Sequence, residues 1–335
     1  MPLDTRHAPL VDQFGRTVTY LRLSVTDRCD LRCRYCMPEK MNFLPRKEVL
    51  DLEELASLAE RFIDHGVRKI RLTGGEPLVR KGIMTLIEQL SRRLDQGDLQ
   101  ELTLTTNGTL LSRYAADLAA LGVRRVNVSL DTLDAKRYRH ITRFGDISKV
   151  MAGLDAAQEA GLRVKINALA SKGAFEEELQ DLILFAHGRN MDLTLIEEMP
   201  LGETSHGMEK KYLSLAKLRE DLESRWTFES VDHRTMGPAK FVRLRETGGI
   251  LGFITPMSCS FCDACNRVRL SCTGKLYTCM GQQGETDLRP ILNSSPAQAF
   301  ESLQKAIWNK PQRHDFLSLK TSEKTVGRHM SVLGG

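Results

Sequence analysis

The stretch LRLSVTDRCDLRCRYC, residues 21–36, runs from an apolar β-type segment directly into a cysteine-rich loop. Its three cysteines, Cys29, Cys33 and Cys36, are spaced C-x3-C-x2-C, with Tyr35 just before the last of them. Three thiolates are one fewer than close a structural zinc site or a saturated iron–sulfur cluster. The loop therefore predicts a metal centre with one open position. Iron–sulfur is favoured over zinc, because no histidine nearby in the sequence offers a fourth ligand.

Helical patterns alternate with short β-type runs after this loop. Apolar residues at helical spacing predict a helix over Asp51–Asp64, with Glu54 completing a capping box and Gly66 ending the helix. The order of helix, glycine and strand recurs at Gly66, Gly122 and Gly161. The chain therefore repeats one supersecondary unit.

Six such βα units predict a parallel sheet. Repetition of one unit favours an α/β fold built on a partial (βα)6 barrel of the TIM type, with a doubly wound open sheet as the alternative. The six predicted strands are Leu21–Val25, Lys69–Leu72, Glu101–Leu104, Arg125–Leu130, Val164–Leu169 and Asp192–Ile196.

Polar and glycine residues gather just after these strands, where α/β barrels hold their active sites. Helix capping accounts for some of the serines and threonines. The segments are Thr26-Asp27, Thr73–Pro77, Thr105–Gly108, Ser129–Asp131 and Glu197–Pro200.

The pattern changes after Gly202 to short strands joined by glycine turns. We expect two units, a partial barrel over residues 1–202 and a β-rich module over residues 203–335 that covers its open side. Cys272-Thr273-Gly274-Lys275 is typical of a hairpin turn. The predicted strands of this module are Phe241–Leu244, Ile250–Ile254, Arg267–Cys272 and Leu276–Cys279.

Bulk properties exclude several classes of protein. A net charge of +5 over 335 residues, with no long basic run, gives no sign of nucleic-acid binding. The apolar runs are too short to span a membrane, and the N-terminus has no signal-peptide core, so a cytoplasmic protein is expected. Eight cysteines in a reducing compartment favour metal or redox chemistry over disulfides.

Five cysteines lie in the β-rich module: Cys259, Cys262, Cys265, Cys272 and Cys279. Side chains alternate along the strand that begins at Arg267, so Cys272 falls on the face opposite the arginines and is expected to be a buried apolar residue. Cys259, Cys262 and Cys265 form a ferredoxin-like C-x2-C-x2-C run, which leaves Cys259 open as a further ligand.

The cysteine triplet with Tyr35, followed by Gly74-Gly75-Glu76-Pro77, resembles the radical S-adenosylmethionine (SAM) family. The stretch from Phe14 through Leu21–Cys36 to Pro38 is similar, more narrowly, to the GTP cyclases of molybdenum cofactor biosynthesis. The resemblance implies that the first three cysteines hold a [4Fe–4S] cluster whose fourth iron binds SAM. SAM contacts are then expected at Tyr35, Gly74, Gly75, Glu76, Ser129 and Met199.

The same resemblance implies a second [4Fe–4S] cluster on Cys262, Cys265 and Cys279, whose open iron binds the guanine of GTP. Arg267, Arg269 and the terminal Gly334 and Gly335 are expected at the reaction centre. The GTP contacts implied are Arg22, Arg71, Thr105, Lys165, Arg267, Val268 and Arg269.

The implied partners are GTP, a reducing electron donor and, downstream, cyclic pyranopterin monophosphate synthase, with no membrane and no nucleic acid. A homodimer is left open. The alternatives are another radical SAM enzyme with an auxiliary cluster, such as a peptide maturase, and a non-enzymatic zinc or electron-transfer protein.

Overall fold

A computed structural model describes residues 8–200, 211–233, 235–316 and Met330. The strands are β1 (Tyr20–Ser24), β2 (Lys69–Thr73), β3 (Glu101–Thr106), β4 (Arg125–Ser129), β5 (Arg163–Ala170), β6 (Asp192–Glu197), β7 (Phe228–Ser230), β8 (Lys240–Leu244), β9 (Ile250–Ile254), β10 (Arg267–Leu270), β11 (Lys275–Tyr277) and β12 (Thr286–Asp287). The α-helices are α1 (Leu52–Asp64), α2 (Ile83–Asp95), α3 (Leu111–Ala120), α4 (Ala135–Thr142), α5 (Ile147–Glu159), α6 (Ala174–Gly188), α7 (Leu215–Glu223) and α8 (Pro296–Trp308).

One sheet of 12 strands organises the described residues, in the order β12-β11-β10-β1-β2-β3-β4-β5-β6-β9-β8-β7. Strands β1 to β6 are parallel neighbours in chain order, and the sheet does not close on itself. A doubly wound sheet would reverse its strand order at a switch point, and these six strands do not. The partial barrel predicted from the repeated βα unit is therefore confirmed.

The strands of the predicted C-terminal module continue the barrel sheet at both of its edges. Strand β9 runs parallel to β6, and β8 and β7 follow it as antiparallel neighbours. Strand β10 runs parallel to β1, and β11 and β12 follow on that side. The module therefore has no separate sheet among the described residues. The predicted boundary at residues 202/203 lies outside the described ranges.

Helix α1 forms as its sequence predicts. The Asp51 carboxylate accepts from the backbone N–H of Glu54 at 2.7 Å, and the Glu54 carboxylate accepts from that of Asp51 at 2.9 Å. Both bonds satisfy backbone donors that the first turn of a helix leaves free. The helix ends at His65, and Gly66 follows with a φ of 96°.

The two faces of the sheet differ in chemistry. Leu21, Leu23, Ile70 and Leu72 are fully buried in the apolar core. Their alternates along β1 and β2 face the inside of the barrel and are mostly polar. In the described residues no helix combines the length and apolar character needed to cross a membrane.

Candidate active site

A cavity of about 240 Å³ lies inside the barrel, at the carboxyl ends of its strands. It brings together most of the residues that the sequence nominated, although they come from segments far apart in the chain. The predicted residues that line it are Arg22, Cys29, Cys33, Tyr35, Cys36, Gly74, Gly75, Thr105, Ser129, Met199, Arg267 and Arg269.

The cysteine loop after β1 forms one wall of this cavity. Burial raises the pKa of the Cys29 thiol to about 12 and that of Cys33 well above its ordinary value. Neighbouring cysteines act in the same direction, so the three sulfurs lie close enough to influence one another. Such thiols lose their protons when a cation binds, because the cation supplies the missing positive charge.

The donor set fits an iron–sulfur cluster. Three thiols face a cavity that leaves room on their open side. In the described ranges, no three His, Cys, Asp or Glu side chains meet tightly enough to hold a single metal ion. A cubane cluster is larger than one ion, so its ligands stand farther apart than those of tetrahedral zinc.

Gly74 and Gly75 pack against the cysteine loop itself. A Cβ on Gly75 would lie 2.3 Å from the Arg28 carbonyl oxygen, and one on Gly74 would lie 2.3 Å from that of Thr26. The Gly75 N–H donates to the Thr26 carbonyl at 2.8 Å. We expected glycine here to let a ligand approach the backbone closely. In the structure, the missing side chains also let the cysteine loop pack against these two residues.

Glu76 does not line the cavity. Its buried carboxylate accepts from the backbone N–H of Asn107 at 2.6 Å, the hydroxyl of Thr106 at 2.8 Å and the N–H of Leu78 at 3.0 Å. Burial raises its pKa to about 7, although these hydrogen bonds act to lower it. The side chain therefore ties the loop after β2 to the loop after β3.

Asp131 joins Tyr35 to the far side of the cavity. It accepts from the Tyr35 hydroxyl at 2.9 Å and from the Leu169 backbone N–H at 2.8 Å. Burial raises its pKa. Sequence reasoning did not name Asp131 as a binding residue, although it placed Ser129–Asp131 among the polar segments at strand ends.

The inner face of the sheet carries a dense group of cations. Arg22 and Arg71 are buried, and Arg267 and Arg269 are half-buried. Burial, with repulsion from neighbouring arginines, holds the pKa of Arg22 well below its ordinary value and lowers that of Arg269 to about 10. Burial likewise depresses the pKa of Lys165.

Arg71 and Lys165 belong to this face but do not line the cavity wall. Val268 points the other way: its side chain is fully buried in the apolar core beside Leu21, so only its backbone can meet a ligand.

Buried polar atoms of this face lack a hydrogen-bond partner within the described part of the chain. Native structures leave few such atoms unpaired, so these donors and acceptors indicate a polar ligand. They include Arg71 Nε, Arg269 Nε, Thr105 Oγ1, Asn167 Oδ1, the Tyr20 hydroxyl and both amide atoms of Asn127.

Sequence reasoning missed a charged layer on the same face. Lys69 Nζ lies 2.6 Å from a Glu101 carboxylate oxygen, and Arg125 Nη2 lies 2.5 Å from the other. Alternation along β2 from Arg71 would have found Lys69, and two such steps along β3 from Thr105 reach Glu101.

The second cysteine group lies around Arg267. Cys262 begins a short 3-10 helix, and Cys265 follows that helix directly. Although burial opposes it, the positive charges of Lys310 and Arg267 lower the pKa of the Cys265 thiol. Lys310, which sequence reasoning missed, is buried and donates to the Arg267 carbonyl at 3.0 Å. The charges of Lys310 and Cys265 also act on the pKa of the Cys279 thiol.

The two spare cysteines have different positions. Cys272 is completely buried, as predicted, although β10 ends at Leu270 and Ser271, which alternation would place on the arginine face, is buried as well. Cys259 is exposed, with its sulfur 3.7 Å from Lys240 Nζ. Gly334 and Gly335 lie outside the described residues, but Met330 lines the cavity.

Two sequence families match the chain. The Radical SAM superfamily matches residues 23–186, and the family described as Molybdenum Cofactor Synthesis C matches residues 191–316. Together with the partial barrel and its cysteine loop, these matches define the chain as a radical SAM enzyme.

Full-length relatives identify the family within this class. A GTP 3′,8-cyclase of Rhizobium etli is 57% identical over 337 residues, covering 100% of this chain and 97% of the relative. A GTP 3′,8-cyclase of Mesorhizobium japonicum is 56% identical, covering 97% and 99%. The chain belongs to the GTP 3′,8-cyclase family.

Solved structures agree on the fold. Streptococcus suis SuiB bound to S-adenosylmethionine superposes with a TM-score of 0.62 at 17% identity, covering 96% of this chain and 79% of SuiB. The protein anSMEcpe with bound AdoMet gives a TM-score of 0.51 at 14% identity, covering 94% and 85%. At such identities the likeness establishes the shared architecture alone.

Proposed function

We propose that this chain cyclises GTP to 3′,8-cyclo-7,8-dihydroguanosine 5′-triphosphate, the first step of molybdenum cofactor biosynthesis. The observation that carries the proposal is the cationic inner face of the sheet, which leads directly to the cysteine loop. Arg22, Arg71, Arg267 and Arg269 converge there, and Arg71 Nε and Arg269 Nε are buried without a hydrogen-bond partner among the described residues. A triphosphate supplies the missing negative charge, and guanidinium groups bind phosphate oxygens in pairs that fix its orientation.

In this proposal Cys29, Cys33 and Cys36 would hold a [4Fe–4S] cluster. When bound, the reduced cluster and SAM would supply the radical chemistry that takes a hydrogen atom from C3′ of GTP. Tyr35, Ser129 and Met199 line the cavity beside the cysteines and would position SAM. Gly74, Gly75 and Glu76 hold the cysteine loop in place and leave backbone groups for the methionine part of SAM.

Cys262, Cys265 and Cys279 would hold a second [4Fe–4S] cluster, which would anchor the guanine of GTP. Lys310 favours this assignment, because a cation beside Cys265 stabilises the thiolate that iron requires. The exposed position of Cys259 beside Lys240 supports a set of three ligands.

Ring closure between ribose and base requires that C3′ and C8 of GTP be held close together. A guanine held at one end and a triphosphate held at the other leave little freedom between C3′ and C8. Thr105 and Lys165 would complete the GTP contacts, the latter from its buried position near Arg71. The enclosed cavity also keeps water and other hydrogen donors away from the reacting carbon.

We extend the proposal to the C-terminal tail and to the cellular setting. Because Met330 lines the cavity, Gly334 and Gly335 are near enough in sequence to reach the substrate. Residues 1–202 and 203–335 would act as barrel and cover. The enzyme would work in the cytoplasm, receive electrons from a separate donor and pass its product to cyclic pyranopterin monophosphate synthase.

Anaerobic incubation of the reconstituted protein with SAM, GTP and dithionite tests the proposal. We expect 5′-deoxyadenosine and the cyclised nucleotide to appear together, and Cys33→Ala to abolish both. SAM cleavage that is indifferent to GTP would favour another radical SAM enzyme. Colourless protein that contains zinc but no iron or sulfide would contradict the radical mechanism.

A further inference from the structure

The cysteine loop rests on the C-terminal end of α4. The backbone N–H of Arg32 donates to the Thr142 carbonyl at 3.1 Å, and that of Arg34 donates to the Ile141 carbonyl at 2.9 Å. Arg34 Nε also donates to the His140 carbonyl, at 2.8 Å. The helix end therefore fixes the loop that carries Cys33 and Cys36.

Arg143, directly after α4, completes this support in a rare backbone conformation. Its φ is 64°, a region that residues other than glycine seldom adopt. Its guanidinium donates to the carbonyls of Arg32 and Met37, the latter at 3.1 Å. Strained conformations persist only where the surroundings hold them, and they cluster at functional sites.

The same turn exposes Phe144, whose side chain is 57% accessible. Arg34, on the cysteine loop, and Arg139, on α4, are exposed as well. Glu39 lies 4.0 Å from Arg143, and the exposed Asp146 interacts with Arg139; the three arginines outnumber these two carboxylates. Exposed aromatic and arginine side chains are the residue types enriched at protein interfaces.

We infer that this surface, formed by Arg34, Arg139, His140, Arg143 and Phe144 and called here the α4 corner, docks an acidic one-electron carrier protein that reduces the first cluster. The inference rests on the proposed function, since only that chemistry requires an external electron. One electron leaves the carrier and is accepted by the cluster on Cys29, Cys33 and Cys36; no atom or proton is transferred.

The α4 corner suits this role because it is both basic and close to the cluster ligands. Arg143 contacts backbone carbonyls on either side of the Cys33–Cys36 segment, so a partner seated on Phe144 lies a few bonded steps from the ligands. Electron-transfer contacts are small and weak, and their association is steered by opposite charge.

The test compares two reductants on the full-length holoenzyme. Arg139→Glu and Phe144→Ala should form 5′-deoxyadenosine at the wild-type rate with dithionite. With reduced flavodoxin, an acidic flavoprotein, the concentration giving half-maximal rate should rise on the order of ten-fold at low salt, since rim charges act on association. The wild-type rate with flavodoxin should also fall as salt is added, and the Arg139→Glu rate should change less.

Matched controls are Arg92→Glu on α2, whose side chain is 69% exposed, and Leu184→Ala on α6, which is 45% exposed. Both should respond to flavodoxin as wild type does. The inference is overturned if the α4-corner variants also respond normally, or if flavodoxin fails to drive a wild-type enzyme that dithionite drives. A Phe144→Ala enzyme that loses a dimer on sedimentation would assign the corner to a second copy instead. Failure with dithionite as well would contradict the proposed function itself.

Discussion

Arg22 and Arg269 are paired in register on neighbouring parallel strands, β1 and β10. Both side chains point to the inside of the barrel. Burial lowers the pKa of both, and a neighbouring guanidinium adds to it: Arg269 lowers the pKa of Arg22, and Arg267 lowers that of Arg269. Two guanidinium groups in such a position are unfavourable unless an anion completes the site. The pair is therefore organised for a polyanionic ligand before that ligand arrives.

Arg269→Ala should raise the KM for GTP by roughly 10- to 100-fold, because a hydrogen bond to a charged group is worth about 1.5–3 kcal/mol. SAM binding should change little. Arg245→Ala is the control, since that side chain is 67% exposed and pairs with Glu229 on the outside. An unchanged KM for GTP in the Arg269 variant would remove the clamp from the mechanism.

Tyr20→Phe should separate substrate binding from stability. The Tyr20 hydroxyl is buried without a partner among the described residues, and its ring lies 5.1 Å from Lys69 Nζ and 5.6 Å from the Arg71 guanidinium. Removing an unpaired buried hydroxyl should leave the free energy of unfolding of the ligand-free protein equal or higher. We expect GTP affinity, measured by calorimetry, to fall about five-fold, as for one lost hydrogen bond. Equal GTP affinity in both proteins would show that the hydroxyl does not meet the triphosphate.

The pH dependence of GTP binding should identify the same hydroxyl. Although burial acts to raise it, the charges of Arg71, Arg22 and Lys69 lower the pKa of Tyr20 to about 8. Below that pH the neutral phenol donates to a phosphate; above it the phenolate repels one. The affinity advantage of wild type over Tyr20→Phe should therefore be present at pH 7 and lost by pH 9. An advantage that grows with pH would contradict this sign.

The sequence was informative wherever local pattern decides structure. The βα repeat predicted the six barrel strands within two residues at each end, and the capping box of Asp51 and Glu54 predicted the start of α1. Cys272 is in the interior as predicted, although it lies in the turn after β10 and not on the strand. These features depend on neighbours close in the chain, which a single sequence displays.

The pairing of strands and residues that are far apart in the chain could not be predicted from local sequence patterns. Strands β9 and β10 are separated by 12 residues, yet they add to opposite edges of the barrel sheet. No local pattern specifies that Arg269 faces Arg22, or that Lys310 lies beside Cys265. The resemblance to a family supplied several of these residues, and the register explains why they meet.

Gly75→Ala should disturb the cysteine loop while leaving the fold intact. Its new Cβ would lie 2.3 Å from the Arg28 carbonyl oxygen, a backbone atom that cannot yield without moving the loop. We expect 5′-deoxyadenosine formation with dithionite to fall by at least about ten-fold, given how steeply such reactions depend on position. Gly188→Ala is the control, because nothing lies within 4 Å of its Cβ and alanine is favoured in a helix. Equal activity of the two variants would mean that the loop tolerates the displacement.

The ligands of the second cluster can be separated by iron content. Cys259→Ser should keep about eight iron atoms per chain, the content of two [4Fe–4S] clusters, because its exposed thiol contacts Lys240 and not the other cysteines. Cys279→Ser should fall towards about four, since a cluster held by three thiolates does not survive the loss of one. The measurement is iron and sulfide analysis after anaerobic reconstitution, with Cys272→Ser as the control for a buried thiol outside the set. If Cys259→Ser also fell to about four, Cys259 would be a ligand, and the open iron proposed for guanine would not exist.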